Sequence, residues 1–202
     1  MYTKRIYTAV LAVLLMSVFS LNAQVKGIEA SFVQTGTVNG KVVSGEGTIY
    51  YAGPTSLALR YSTPKGEAFV IDNDEIYVAK GGKERFFNAQ KNAPMRTLSK
   101  TLMNCIEGNI DAVAADNDAD IITSDGSKTR KVTVKARKRS ARGYEIIELR
   151  YRKSDGMVEY IKLVEFNGNV NEYIVGTSKK NVNLPADAFG IPEKKERKNG
   201  KS

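Results

Sequence analysis

KVVSGEGTIYYAGPTSLALRYSTPKG, residues 41–66, alternates apolar and polar side chains and is broken at Gly53-Pro54 and again at Pro64 to Gly66. Successive side chains on a strand point to opposite faces, so a period of two predicts strands, and the Gly-Pro pair predicts the turn between them. Leu57, Leu59 and Tyr61 then share one face of the second strand. On the N-terminal side, Ile28 to Thr37 has the same character and joins Lys41 to Ala52 through Asn39-Gly40, a dipeptide suited to two-residue hairpins. On the C-terminal side, Ala68 to Ile71, Glu75 to Ala79 and Lys83 to Phe87 are short strands separated by Asp72-Asn73-Asp74 and Gly81-Gly82. Short strands joined by tight turns predict an antiparallel meander.

The period then changes. In Ala93 to Glu107 the apolar residues Met95, Leu98, Leu102 and Ile106, with Cys105 beside them, recur at intervals of three and four, which is one face of a helix. Gly108 is the expected stop. Ile110 to Ala115 reads as a short second helix, followed by an acidic loop, Asp116 to Asp120. Strands resume at Ile121-Ile122, Lys131 to Arg137, Tyr144 to Arg152, Met157 to Phe166 and Val170 to Thr177, with Ser154-Asp155-Gly156 and Asn167-Gly168-Asn169 as turns. The expected fold class is α+β, mainly antiparallel β: a curved sheet wrapped over helices that fall at one place in the chain.

The chain of 202 residues opens with Lys4 and Arg5, a mostly apolar run from Ile6 to Leu21, and the small residue Ala23. That run is shorter than the ~20 residues a spanning helix needs, so residues 1–23 are expected to be a secretory signal peptide cleaved after Ala23. Residues 24–192 are then one domain, and residues 193–202 a charged tail expected to be disordered. Export places the mature chain in the periplasm.

Chemistry is sparse. The chain has no histidine, which removes the commonest general base and a leading zinc ligand. Cys105, the single cysteine, lies on the apolar helix face and reads as a core residue. Asp116-Asn117-Asp118-Ala119-Asp120 starts like a calcium loop, but that loop needs glycine sixth and glutamate twelfth, where Ile121 and Ser127 stand. Glu67, Asp72, Asp74 and Glu75 read as surface turn residues, and Gly45-Glu46-Gly47 lies within a strand pattern instead of ahead of a helix. No nucleophile motif is present, so no catalytic residue, metal or cofactor is expected. Lys128 to Arg142 is strongly basic, but it has no aromatic residues to stack on bases and belongs to an exported chain. Nucleic acid is not the expected partner; a solvated strand face and a docking surface for acidic groups both fit.

Ala30-Ser31-Phe32-Val33-Gln34, then Gly45 to Tyr51, Pro54, Leu57, Leu59, Tyr61 and Pro64, then Phe69 to Asp74 with Tyr77, and finally Leu184-Pro185-Ala186-Asp187-Ala188-Phe189, follow in an order and spacing that resembles the LolA family of periplasmic lipoprotein carriers. The resemblance covers nearly the whole mature chain. It implies an incomplete (half) β-barrel of about ten to eleven strands covered by a few helices. Between sheet and helices it implies a hydrophobic cavity for the acyl chains of a lipoprotein. It further implies cargo received from an inner-membrane ABC-type release complex and passed to an outer-membrane acceptor by a monomer. On this reading Leu57, Leu59, Phe69 and Tyr77 form the sheet side of the cavity, and Met95, Leu98, Leu102 and Ile106 form a lid. Two positions depart from the family pattern. Gly53 stands where the family often has a lid-closing arginine, and Leu59 where it has tryptophan. The gating contacts are therefore expected to differ. A carrier of another lipid or glycolipid, or a lipoprotein-sensing interaction domain, would use the same scaffold.

Overall fold

The computed structural model describes residues 26–140 and 143–193. The expected signal peptide, Arg142 and the tail beyond Glu193 lie outside the described residues. The first six strands are β1 (Lys26–Val38), β2 (Lys41–Ala52), β3 (Ser56–Thr63), β4 (Ala68–Asp72), β5 (Glu75–Lys80) and β6 (Lys83–Asn88). Two helices follow, α1 (Ala93–Glu107) and α2 (Ile110–Asn117). The last five strands are β7 (Ala119–Asp125), β8 (Thr129–Ala136), β9 (Tyr144–Arg152), β10 (Val158–Glu165) and β11 (Val170–Asn183).

All eleven strands form one antiparallel sheet in the order β6-β5-β4-β3-β2-β1-β11-β10-β9-β8-β7. Two meanders are therefore stitched together at the centre, where β1 and β11 pair from Lys26–Asn183 to Thr37–Val170. The sheet does not close: its edges are β6 and β7, and the stretch between them carries both helices. The chain leaves one edge and re-enters at the other, so α1 and α2 have to cross the open face. This is the incomplete barrel that the family resemblance implies.

The helix ends are written locally. The Asn92 side chain accepts from the Met95 N–H, Pro94 occupies the first turn where no donor is missed, and Gly108 takes the left-handed conformation at φ 78°. The acidic stretch expected as a loop is instead split. Asn117 ends α2, Asp118 caps it with φ 46°, and Ala119 already starts β7. Asp118 and Asp120 pair with Arg137, and Asp118 also with Lys138, so the basic end of β8 supplies the order that the acidic run lacked in isolation.

Alternation fixes what each face buries. On the inner face, Phe32, Ile49, Leu57, Ile71, Ile76, Val132, Ile147, Leu149 and Ile161 pack with Leu102, Cys105 and Ile106 of α1 and Val113 of α2. Fully burying one such side chain is worth roughly 1.5–3 kcal/mol. On the outer face of β2 to β6 a second cluster forms. Register places Tyr50, Ala58, Val70, Tyr77 and Phe86 in one cross-strand row. The C-terminal segment covers it with Phe189 and Ile191. Arg60 clamps that segment by donating to the carbonyls of Asp187, Ala188 and Gly190, at 3.2, 3.2 and 2.7 Å. The motif Leu184 to Phe189 thus forms the cover of an outer sheet face.

Candidate ligand cavity

Between α1 and the inner face of the sheet lies a cavity of about 600 Å³. Leu59, Phe69 and Val78 supply its sheet wall, and Met95, Leu98 and Leu102 of α1 its roof. Leu59, Phe69 and Val78 are consecutive register partners on β3, β4 and β5, which makes that wall a single cross-strand row.

Five of the eight residues expected to line a cavity do so: Leu59, Phe69, Met95, Leu98 and Leu102. Leu57 and Ile106 belong to the same inner core but do not line this space. Leu57 is 0% exposed, packed in the neighbouring row with Tyr51 and Ile71. Ile106 faces a separate recess of about 260 Å³ with Ile28, Tyr51 and Glu107. Tyr77 is a correction. It sits between Ile76 and Val78, both inner-face residues, so alternation turns it outward, where it contacts Phe86 and donates to Glu84 at 2.7 Å.

The sequence reading missed a polar strip that runs across the same cavity. Gln34 occupies the inward position that follows Ala30 and Phe32 on β1, and it is buried. Its carbonyl oxygen accepts from the Tyr61 hydroxyl at 2.5 Å, and its amide donates to Asn171 Oδ1 at 3.1 Å and to the Tyr173 hydroxyl at 3.3 Å. Gly45 makes this possible: a Cβ there would lie 2.8 Å from the Tyr61 ring, so glycine lets the ring cross β2 to reach β1. A polar residue at an inward strand position was the available signal. Tyr144 completes the strip. Burial pushes the Tyr61, Tyr144 and Tyr173 phenols up, Tyr173 to about 12, so all three are neutral hydroxyls at any physiological pH. Glu67, Glu165, Lys80 and Arg85 also line the cavity, two charges of each sign.

At Gly53, in place of the family's arginine, the Tyr51 hydroxyl and the Glu107 carboxylate crowd the backbone; a Cβ there would lie 2.6 Å from Glu107 Oε1. Burial, and after it the Glu107 carboxylate, raise the Tyr51 phenol. The C-terminal end of α1 is also tied to β9, where the Tyr151 hydroxyl donates to the Cys105 carbonyl at 2.8 Å. Cys105 itself is buried and its thiol is pushed up by burial, which leaves it an unreactive core group. Among the described residues there is no group of three or more His, Cys, Asp or Glu placed to hold a metal ion, and no helix is long and apolar enough to cross a membrane.

The family profile described as "Outer membrane lipoprotein carrier protein LolA" matches residues 23–192. The chain belongs to the LolA family. No curated protein matches. Solved structures that resemble this one include an uncharacterized conserved protein from Thermus thermophilus, at 11% identity over 85% of this chain and 88% of that one, with a TM-score of 0.50. A LolA superfamily protein from Nitrosomonas europaea is similar at 8% identity over 83% and 91%, TM-score 0.39. The lipoprotein LppX from Mycobacterium tuberculosis is similar at 12% identity over 90% and 98%, TM-score 0.40.

Proposed function

We propose that the mature chain is a periplasmic lipoprotein carrier. It takes acyl chains into the cavity under α1, receives the cargo from an inner-membrane ABC-type release complex and passes it to an outer-membrane acceptor, acting as a monomer without cofactor or covalent step. The observation that carries this reading is the cavity itself: an apolar row on a broad sheet, roofed by Met95, Leu98 and Leu102. Each methylene kept from water is worth ~0.8 kcal/mol, so an acyl chain crosses an aqueous gap only under such a cover. Methionine and leucine side chains repack readily around chains of different length.

Cavity size refines the reading. A methylene fills about the volume of a liquid water molecule, ~30 Å³, so about 600 Å³ takes on the order of 20 methylenes, or one long acyl chain. A triacylated cargo requires α1 to move away from the sheet, whereas a single-chained lipid fits as the cavity stands. That observation favours, as a second reading, a carrier for another, smaller lipid on the same scaffold.

Native mass spectrometry of the protein purified from its own periplasm, with analysis of the bound lipid, separates these readings. A bound triacylated lipoprotein is expected. A single-chained lipid would move the function to the second reading. Leu98→Glu, a half-buried roof position, is expected to leave the fold intact and lower lipopeptide uptake at least tenfold. Unchanged uptake in that folded variant would overturn the placement of the site.

A further inference from the structure

The strip across the cavity is built from donors whose hydrogens are not spent. Gln34 is fully used: its oxygen accepts from Tyr61, and its two amide hydrogens go to Asn171 and Tyr173. Tyr173 accepts in that bond, so its own hydroxyl hydrogen is left over. Asn171 accepts through Oδ1, so its amide hydrogens are left over. The Tyr144 hydroxyl makes no hydrogen bond with any described residue. These three groups line the same space as Leu59, Phe69 and Leu98. Tyr144 and Tyr173 are each 7% exposed, so bulk water does not bathe them freely.

Gln34 therefore orients the strip instead of binding through it. By accepting from Tyr61 and donating to both β11 side chains, it holds Asn171 and Tyr173 through their acceptor oxygens and leaves their donors unspent. Such a surface calls for an acceptor. It does not call for a charge, because the phenols and the amide are neutral and the charged residues that line the cavity balance in sign.

We infer that Tyr144, Asn171 and Tyr173 form a subsite for the carbonyl of an acyl ester or amide. This subsite makes the cavity selective for acylated amphiphiles over other molecules that carry an equally long hydrocarbon chain. The inference rests on the carrier reading and names the chemical feature that the cavity recognises beyond the chain. An amphiphile bound this way has its hydrocarbon against Leu59, Phe69 and Leu102 and its acyl linkage at the strip.

The test compares two glycerol lipids, a palmitoyl monoester and the hexadecyl monoether, which share chain and headgroup and differ in the carbonyl. Both are titrated calorimetrically into the wild-type protein and into Tyr144→Phe/Tyr173→Phe. The wild-type protein is expected to favour the ester about tenfold, the worth of one to two net hydrogen bonds. The double variant is expected to lose the preference and bind ester and ether alike. A wild-type protein that binds both lipids equally overturns the inference and leaves the carrier reading standing, as does a double variant that keeps the preference. A wild-type protein that binds neither lipid overturns the inference, and if it also fails to take up a lipopeptide the carrier reading falls with it. Thermal unfolding of the double variant checks that the comparison is made between folded proteins, and Tyr144→Phe alone, which removes no hydrogen bond, repeats the measurement if the double variant unfolds.

Discussion

The two halves of the sheet bury their faces differently. Strands β1 to β6 are apolar on the inner face and, from β2 to β6, on the outer face too, where Phe189 and Ile191 close over Ala58, Val70 and Tyr77. Strands β7 to β11 bury the inner face; outward they carry Lys131, Lys135, Glu148, Lys162 and Glu172 beside Ile146, Val164 and Ile174, and Lys162 pairs with Glu172. The half that supplies the apolar wall of the cavity is therefore held from both sides. The half with one buried face contributes the polar strip through Tyr144, Asn171 and Tyr173. Packing on both sides of β3 to β5 holds the shape of that wall.

The largest expected difference between the halves lies on the outer face. Val70→Asp places a charge where exposure is 0% and is expected to cost about 4 kcal/mol, whereas the outward Lys131→Ser changes stability by less than about 0.5 kcal/mol. Urea unfolding reads both, and comparable losses would break the contrast. Arg60→Ala comes next. It removes three hydrogen bonds to the covering segment and is expected to cost about 1–2 kcal/mol, with faster amide exchange in residues 184–191 and little change in β8 to β10. Uniform loss of protection would mean that the cover is not a local device. The smallest effect belongs to the exposed turn of the second half. The Arg152 guanidinium, and then the Met157 N–H, hold the Asp155 carboxyl below the usual carboxylate range. A lowered folded pKa contributes stability above the unfolded value near 4 and loses it as pH falls through the folded value. Asp155→Asn should flatten the acid limb of the stability profile by no more than about 0.5 kcal/mol once solvent screening is counted. A steeper limb in the variant would reverse the sign.

The same contrast explains which parts of the molecule were legible. Lys41 to Ala52, Ala93 to Glu107 and Tyr144 to Arg152 carry their own boundaries, in Asn39-Gly40, in Asn92 with Gly108, and in the turn at Ser154 to Gly156. Where one face is polar, as in β8, alternation also says which side is in. Where both faces are apolar it does not, and Tyr77 was assigned to the cavity although its strand turns it outward. Leu57 and Ile106 share the inner face with the lining residues, and only three-dimensional packing separates filled space from open space there. Tyr144 was hidden for another reason. A register shift beside Val164 and Glu165 places it on the same face as Ile147, three residues on, which simple alternation forbids. Gln34 was visible as a polar residue in an inward series, but its partners Asn171 and Tyr173 come from the far end of the chain.

The central seam has a consequence for how the molecule assembles. Lys26 and Asn183, paired with each other at one end of the β1–β11 ladder, lie near opposite ends of the described chain. Every hairpin on either side can zip from its own turn, but this pairing waits for the last strand to be made and delivered, because such distant segments meet only after a large loop has closed. Until then the strand carrying Gln34 has one open edge, and the cavity has half of its rim. The cavity is complete only when the final strand arrives, so a chain cut short before β11 can hold correct local structure throughout and still lack the wall that Asn171 and Tyr173 supply.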